Sequence, residues 1–230
     1  MADLYLVRHG QASFGAENYD ALSSLGHEQA RSTGEFFSRF LPSVNVYAGS
    51  LVRQNETLQG MITGGLVSHS VTVMDEFNEL DHEALLQAVC PEFADKPAFG
   101  ALLAEQSEPK AFFHQLYQQA LGRWIQASED DPVYTESHRM FQDRVLRGIQ
   151  HILNQAEANV PNVLVTSAGP ISVCLHNVLG VDVKTSFDLN EQIANASITH
   201  IKFNASGRKT LSSFNGYHHL QLADVKVTYR

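Results

Sequence analysis

Short apolar runs alternate with stretches of helical spacing along this chain, and that alternation limits the fold more than any other feature. Four runs read as buried strands: "LYLV" (4–7), "VNVYAG" (44–49), "SVTVMDEF" (70–77) and "NVLVTSAG" (162–169). Between the first two lies "QASFGAENYDALSS" (11–24), polar and turn-rich, which reads as a loop. Ser24 is placed to cap a helix in which Ala30, Phe37 and Leu41 recur at helical spacing. Ser50 is placed to cap a second, carrying Leu58 and Ile62. Pro170 and Gly180 bracket a third, with proline just inside the start and glycine past the end. "SITHIKFN" (197–204) and "KTLSSFN" (209–215) read as closing strands joined by a turn at Ser206 and Gly207. The pattern predicts an α/β fold, a three-layer α/β/α sandwich with a mostly parallel central sheet.

The middle of the chain departs from this rhythm. From about 81 to 158 no strand pattern appears. Phe113, Leu116, Tyr117, Leu121 and Trp124 follow one helical face, and Phe141, Val145, Ile149, Ile152 and Ala156 follow another. The polar loop "SEDDPVYTES" separates them. These aromatic stripes read as core. The expected organisation is one domain of 230 residues, with a core at about 1–80 and 159–230 and a helical insertion at about 81–158. A formal charge of -9 argues against nucleic acid or an anionic membrane as partner. Cys90 and Cys174 form neither a disulfide framework nor a zinc spacing. The N-terminus lacks a secretory pattern, and no apolar run approaches the ~20 residues needed to span a bilayer. A cytoplasmic protein is the expectation. Three Asn-X-Ser/Thr triplets, at Asn55, Asn195 and Asn204, then read as chance. The sequence leaves the oligomeric state open, a homodimer included.

Ligands of open α/β sheets bind beyond the carboxyl ends of the strands, and polar groups gather at those ends here. Arg8 and His9 follow the first strand, Arg53 follows the second, and "TSAGP" follows the fourth at the start of a helix. Two arginine forks and helix N-termini make a site for a phosphate dianion. The histidine is the unusual part. Beside two permanent cations its protonated form is disfavoured, which leaves a neutral imidazole able to attack phosphorus. The departing alkoxide then needs a proton, and "DEFNELDHE" (75–83), after the third strand, supplies carboxylates.

Taken in order, "LVRHGQA", "LSSLGHEQARSTG", "SLVRQNET", "DEFNELD", "ESHRMFQDRV" and "NVLVTSAGPI" resemble the motifs of the histidine phosphatase superfamily, in its phosphoglycerate mutase-like branch. The resemblance spans nearly the whole chain. It implies that His9 is the nucleophile that becomes phosphorylated and that Arg8 and Arg53 bind phosphate. Glu79 aligns best with the proton donor, with Glu76 and Asp81 as its competitors. Gln11 and Ser13 correspond to a stretch that lines the pocket in relatives. It also implies that no metal or other cofactor is needed. One departure stands out: the family's second histidine falls on Ala168, before Gly169. Loss of one such donor typically costs ~10²–10³ in rate. The Ala168 and Gly169 backbone N–H groups or the Ser167 hydroxyl are partial substitutes, and His176, His200 and His219 are the other imidazoles open to that role. Two functions follow as expectations. One is a phosphomonoester hydrolase acting through phosphohistidine on a small phosphorylated metabolite or phosphoprotein. The other is a degenerate member that binds a phosphorylated ligand or partner with little turnover. The phosphate-holding change at Ala168, and a first loop without the mutase pattern, count against a mutase.

Overall fold

The computed structural model describes residues 2–13, 20–157, 159–204 and 208–229. The chain runs β1 (Ala2–Arg8), α1 (Ser24–Ser38), β2 (Val44–Ala48), α2 (Val52–Thr63) and β3 (Ser68–Val73), then a 3-10 turn (Asp75–Phe77). α3 (His82–Val89), a second 3-10 turn (Pro91–Ala94), α4 (Lys96–Ala104), α5 (Pro109–Gln126) and α6 (His138–Gln155) follow. The remainder is β4 (Asn162–Thr166), α7 (Ala168–Leu179), α8 (Val183–Asn190), β5 (Ile198–Phe203), β6 (Lys209–Gly216) and α9 (His218–Leu222). The six strands form one sheet in the order β3-β2-β4-β1-β5-β6. The pairings from β3 to β1 are parallel, and β5 and β6 join antiparallel. The expected α/β class is therefore the observed one.

β4 is buried along its whole length, as a central parallel strand covered on both faces must be. In β1 the period of two divides the faces. Val7 joins Phe37 and Leu41 of the first helical segment and Leu58 and Met61 of α2 in one core. Leu4, with Ile201 of β5, meets Leu146, Ile149 and Leu153 of α6 and Cys174 and Val178 of α7 on the other face. Helices thus cover both faces of the sheet. No helix among the described residues is long and apolar enough to cross a membrane.

The chain divides into two compact units, residues 1–79 with 144–230, and residues 80–143. The sheet-bearing unit thus takes in α6 from Arg144 onward, which the sequence had grouped with the insertion. The second unit is helical, with Leu85, Leu86, Leu116, Leu121, Trp124 and Phe141 buried. Trp124 donates its indole N–H to the Glu136 carbonyl at 2.8 Å and packs on Phe141.

Several boundaries differ from the sequence reading. The cap of α1 is Ser23, whose hydroxyl accepts from the Gly26 N–H at 3.0 Å, and Ser24 is the first helical residue. Ser50 does not cap α2, whose N-cap position is Leu51; its hydroxyl donates to the Asp75 carboxylate. Met61 is buried in α2 where Ile62 is exposed. The third strand stops at Val73, because residues 75–77 coil into the 3-10 turn. α7 starts at Ala168, which puts Pro170 at its third position, and Gly180 ends it with φ 67°. The turn expected at Ser206 and Gly207, and part of the first loop, lie outside the described residues.

Candidate active site

β1 delivers its last residues to the site as part of the sheet. Arg8 pairs with Thr166, and the His9 N–H continues the ladder onto the Thr166 carbonyl at 2.8 Å. The next N–H, of Gly10, donates to the Thr57 hydroxyl on α2 at 2.9 Å. A Cβ on Gly10 would lie 2.4 Å from the Gly26 carbonyl oxygen, so only glycine lets the two main chains meet. On the other side, the Ala196 N–H donates to the carbonyls of Arg8 (3.0 Å) and His9 (3.2 Å), and the Asn195 side-chain amide also donates to the His9 carbonyl (3.3 Å). Ala196 holds φ 55°, a left-handed conformation unusual for alanine, which aims that N–H.

The His9 imidazole is 6% exposed. Its Nδ1 lies 2.7 Å from the Gly10 carbonyl, which only accepts, so Nδ1 carries the proton. Nε2 is then unprotonated and accepts from Arg53 Nε at 3.2 Å. Burial holds the His9 pKa well below the ordinary 6.5, and Arg53 and then Arg8 push it the same way. The sequence named the two cations; burial is the larger cause.

Arg53, in the first turn of α2, is buried. Its Nη1 pairs with the Asp20 carboxylate, whose other oxygen accepts the Val52 N–H at 2.8 Å. Arg8 Nη1 donates to the carbonyls of Ile193 and Tyr229. The segment after β3 brings the acid. The Phe77 carbonyl accepts from Gln54 Nε2 (3.0 Å) and the Thr166 hydroxyl (2.7 Å). The Glu79 carboxylate accepts the Gly169 N–H at 3.1 Å, in the first turn of α7. A carboxylate there meets the positive end of the helix. His9 and Glu79 are thus both bonded to the short run from Thr166 to Gly169.

The structure thus bonds His9 to Arg53 and to Thr166, and Glu79 to Gly169, while the Arg8 guanidinium bonds the Ile193 and Tyr229 carbonyls. Ala168 is the buried first residue of α7. Gln11 and Ser13 are bonded close by in sequence: Gln11 Oε1 accepts from the Ser23 hydroxyl (2.8 Å), and Ser13 Oγ donates to the Ala21 carbonyl (2.9 Å). Those bonds fasten the segment after Gly10 to the start of α1. Of the competitors for Glu79, Asp81 caps α3 by accepting the Ala84 N–H, and Glu76 sits in the 3-10 turn. The Ser167 hydroxyl accepts from Gln54 Nε2 at 2.9 Å. The three other imidazoles named from the sequence are bonded elsewhere. His176 bonds the Val181 carbonyl at the far end of α7, His200 bonds Asp3, and His219 bonds Thr33. Asp20, Gln54 and Thr166 were missed by sequence reasoning. Asp20 and Arg53 meet across 33 positions, and no spacing rule joins them.

A family model described as histidine phosphatase superfamily (branch 1) matches residues 4–216. No curated protein matches the chain in sequence. Among solved structures, Bacillus stearothermophilus YhfR is similar over 96% of this chain and 100% of its own, at 17% identity and a TM-score of 0.66. An Entamoeba histolytica phosphoserine phosphatase mutant bound to phosphoserine is similar over 96% and 100%, at 17% identity and 0.64. A mycobacterial glucosyl-3-phosphoglycerate phosphatase is similar over 94% and 99%, at 22% identity and 0.62. With the family model covering nearly the whole chain and the fold shared with these structures, the protein belongs to the histidine phosphatase superfamily, branch 1.

Proposed function

We propose that this protein is a phosphomonoester hydrolase that acts through a phosphohistidine at His9. The observation that carries the reading is the state of that imidazole: buried, its pKa depressed, its proton committed to the Gly10 carbonyl, and its Nε2 lone pair under the Arg53 guanidinium. Neutral histidine is the nucleophilic form. A bound phosphomonoester would draw Arg53 and Arg8 onto its oxygens and bring phosphorus to Nε2. As the N–P bond forms and the P–O bond to the leaving group breaks, Glu79, in its protonated form, gives its proton to the departing oxygen. Water then gives a proton to the Glu79 carboxylate and attacks phosphorus. The N–P bond breaks, releasing phosphate and restoring neutral His9 and protonated Glu79. Gln11, Ser13, Ala168 and Gly169 complete the phosphate-binding surface in this reading. Phosphoserine and glucosyl-3-phosphoglycerate, named for two structural relatives, are apt first substrates. Ala168 supports the second reading, a phosphate binder of little turnover, because the imidazole of relatives is absent.

The test is a denaturing quench during turnover of a labelled phosphomonoester. Acid-labile, base-stable label should appear on His9, and His9→Ala should abolish both label and turnover. Turnover by His9→Ala above a purification control overturns the mechanism. Stoichiometric label without phosphate release favours the binder.

A further inference from the structure

We infer that Arg144 is a positioning residue for Glu79, acting through the main chain of the loop that carries it; this rests on Glu79 being the proton donor. The loop leaves β3, an edge strand, where the Met74 N–H still bonds the Ala48 carbonyl of β2 at 2.8 Å. Within the loop the Met74 carbonyl accepts the Phe77 N–H (3.2 Å) and the Asp75 carbonyl the Asn78 N–H (3.0 Å), and the further donors come from outside it. The Phe77 carbonyl is taken by Gln54 and Thr166. The carbonyls on either side converge on one nitrogen: Arg144 Nη1 donates to Asp75 (2.9 Å), Glu76 (3.0 Å) and Asn78 (3.2 Å). A guanidinium among the carbonyl ends of a helical turn is favourably placed, as a cation is at any helix C-terminus. Asn78, the last of these, directly precedes Glu79.

A second observation points to the same device. Gly148 lies one helical turn beyond Arg144, on the same face of α6. A Cβ there would stand 2.7 Å from Phe77 Cζ and 2.8 Å from Glu76 Cβ. α6 thus meets the loop on two successive turns, once with a cation and once with bare main chain. A loop fastened so closely presents its next residue, Glu79, to the Gly169 N–H at a fixed reach. Preorganisation of this kind matters for general acid catalysis, where the donor must meet the leaving oxygen within hydrogen-bond distance.

An arginine that only stabilised the fold would affect all substrates alike. One that positions the acid should affect those whose leaving group needs a proton. Full-length Arg144→Gln, Arg144→Lys, Gly148→Ala and Glu79→Gln are compared on p-nitrophenyl phosphate and on an alkyl phosphate such as glycerol 2-phosphate. Glu79→Gln is expected to lower kcat on the alkyl ester ~10²–10⁴-fold and on the aryl ester far less. Arg144→Gln is expected to show the same asymmetry at about 10–100-fold, with Arg144→Lys and Gly148→Ala between it and wild type. If Glu79→Gln slows both substrates equally, the assignment of Glu79 fails and takes this inference with it. If Glu79→Gln discriminates while Arg144→Lys and Gly148→Ala, both folded by melting, slow both substrates equally or neither, Arg144 is structural only and the inference is overturned.

Discussion

The two chemical groups of the site are held in opposite ways. His9 is held mostly by main chain: its own N–H lies on the Thr166 carbonyl of β4 and its carbonyl under the Ala196 N–H, with the Thr57 hydroxyl taking the next N–H, of Gly10. Glu79 sits on a loop that main chain ties to β2 at Met74 and that side chains hold beyond it, with Gln54, Thr166 and Arg144 reaching in from three separate elements. A strand end inherits its position from the whole sheet, and loss of one side chain leaves the N–H and C=O groups in place. A loop pinned by side chains depends on each of them. The nucleophile should therefore respond to changes that move backbone, and the acid to changes of single polar side chains far off in sequence.

Gly10→Ala is the sharpest way to break the main-chain half, and the largest effect is expected there. The new Cβ would stand 2.4 Å from a carbonyl oxygen of Gly26, backbone that no rotamer change relieves. Overpacking of this kind costs about 1–3 kcal/mol. Any shift that relieves it moves His9, and a displacement of about 1 Å costs ~10² in rate. Chemical denaturation and kcat/KM on p-nitrophenyl phosphate together read both losses. A variant within threefold of wild type in kcat/KM would show that His9 is not placed by this contact.

The same contrast explains what was legible in the sequence. A strand such as β4, buried at every residue, advertises itself by the apolar run Val163–Val165, and the residues at its end follow by position. Arg8 and His9 stand at the end of such a run, and Arg53 in the first turn of the helix after the next one. Glu79 was singled out by the resemblance to the family's acidic motif, with Glu76 and Asp81 as competitors. Arg144 and Asp20 were hidden: their partners lie about 70 and 33 positions away, and nothing in local spacing encodes that distance. Capping serines were found to within a residue, but Ser50 turned out to serve Asp75 rather than its own helix. A serine before a helix can bond in either direction, and only the approach of the acidic loop decides which.

Two of the buried imidazoles, His9 and His219, give the contrast a pH axis. His219 bonds the Thr33 hydroxyl at 3.0 Å, stacks on Phe36 and has a hydrogen bond to the Ala196 backbone. Burial first, and His218 in addition, lower its pKa to about 4. The unfolded chain binds this proton near pH 6.5, so the stabilising contribution is whole above pH 6.5 and is lost as pH falls through about 4. The loss is about 3 kcal/mol between pH 7 and 4, and His9 acts in the same direction. Urea unfolding along this range should show it, and His219→Gln should remove much of it. Folded protein should meanwhile show no fall in kcat/KM centred near pH 6.5 from titration of His9. An unchanged acid limb in His219→Gln would place the sensitivity elsewhere.

The smallest effect is expected at Ala168, where α7 begins. Here main chain and side chain meet: the Gly169 N–H serves Glu79, while the side chain at 168 is a methyl where the resemblance drawn from the sequence implies an imidazole. The adjoining polar groups are already engaged, since Ser167 accepts from Gln54 and Thr166 donates to Phe77. Ala168→His restores a donor of a kind worth up to ~10²–10³ in rate when fully oriented. The residue is 3% exposed, so an imidazole must displace neighbours, and the groups that would orient it are committed elsewhere. A gain in kcat of about tenfold or less is therefore the expectation. Pre-steady-state phosphorylation of His9 separates the causes. A faster burst in Ala168→His means that the wild-type pocket simply lacks a donor. An unchanged burst in a folded variant means that Gln54, Ser167 and the α7 N-terminus already form a different phosphate pocket, and that the side-chain half of the site has been rebuilt around the loss.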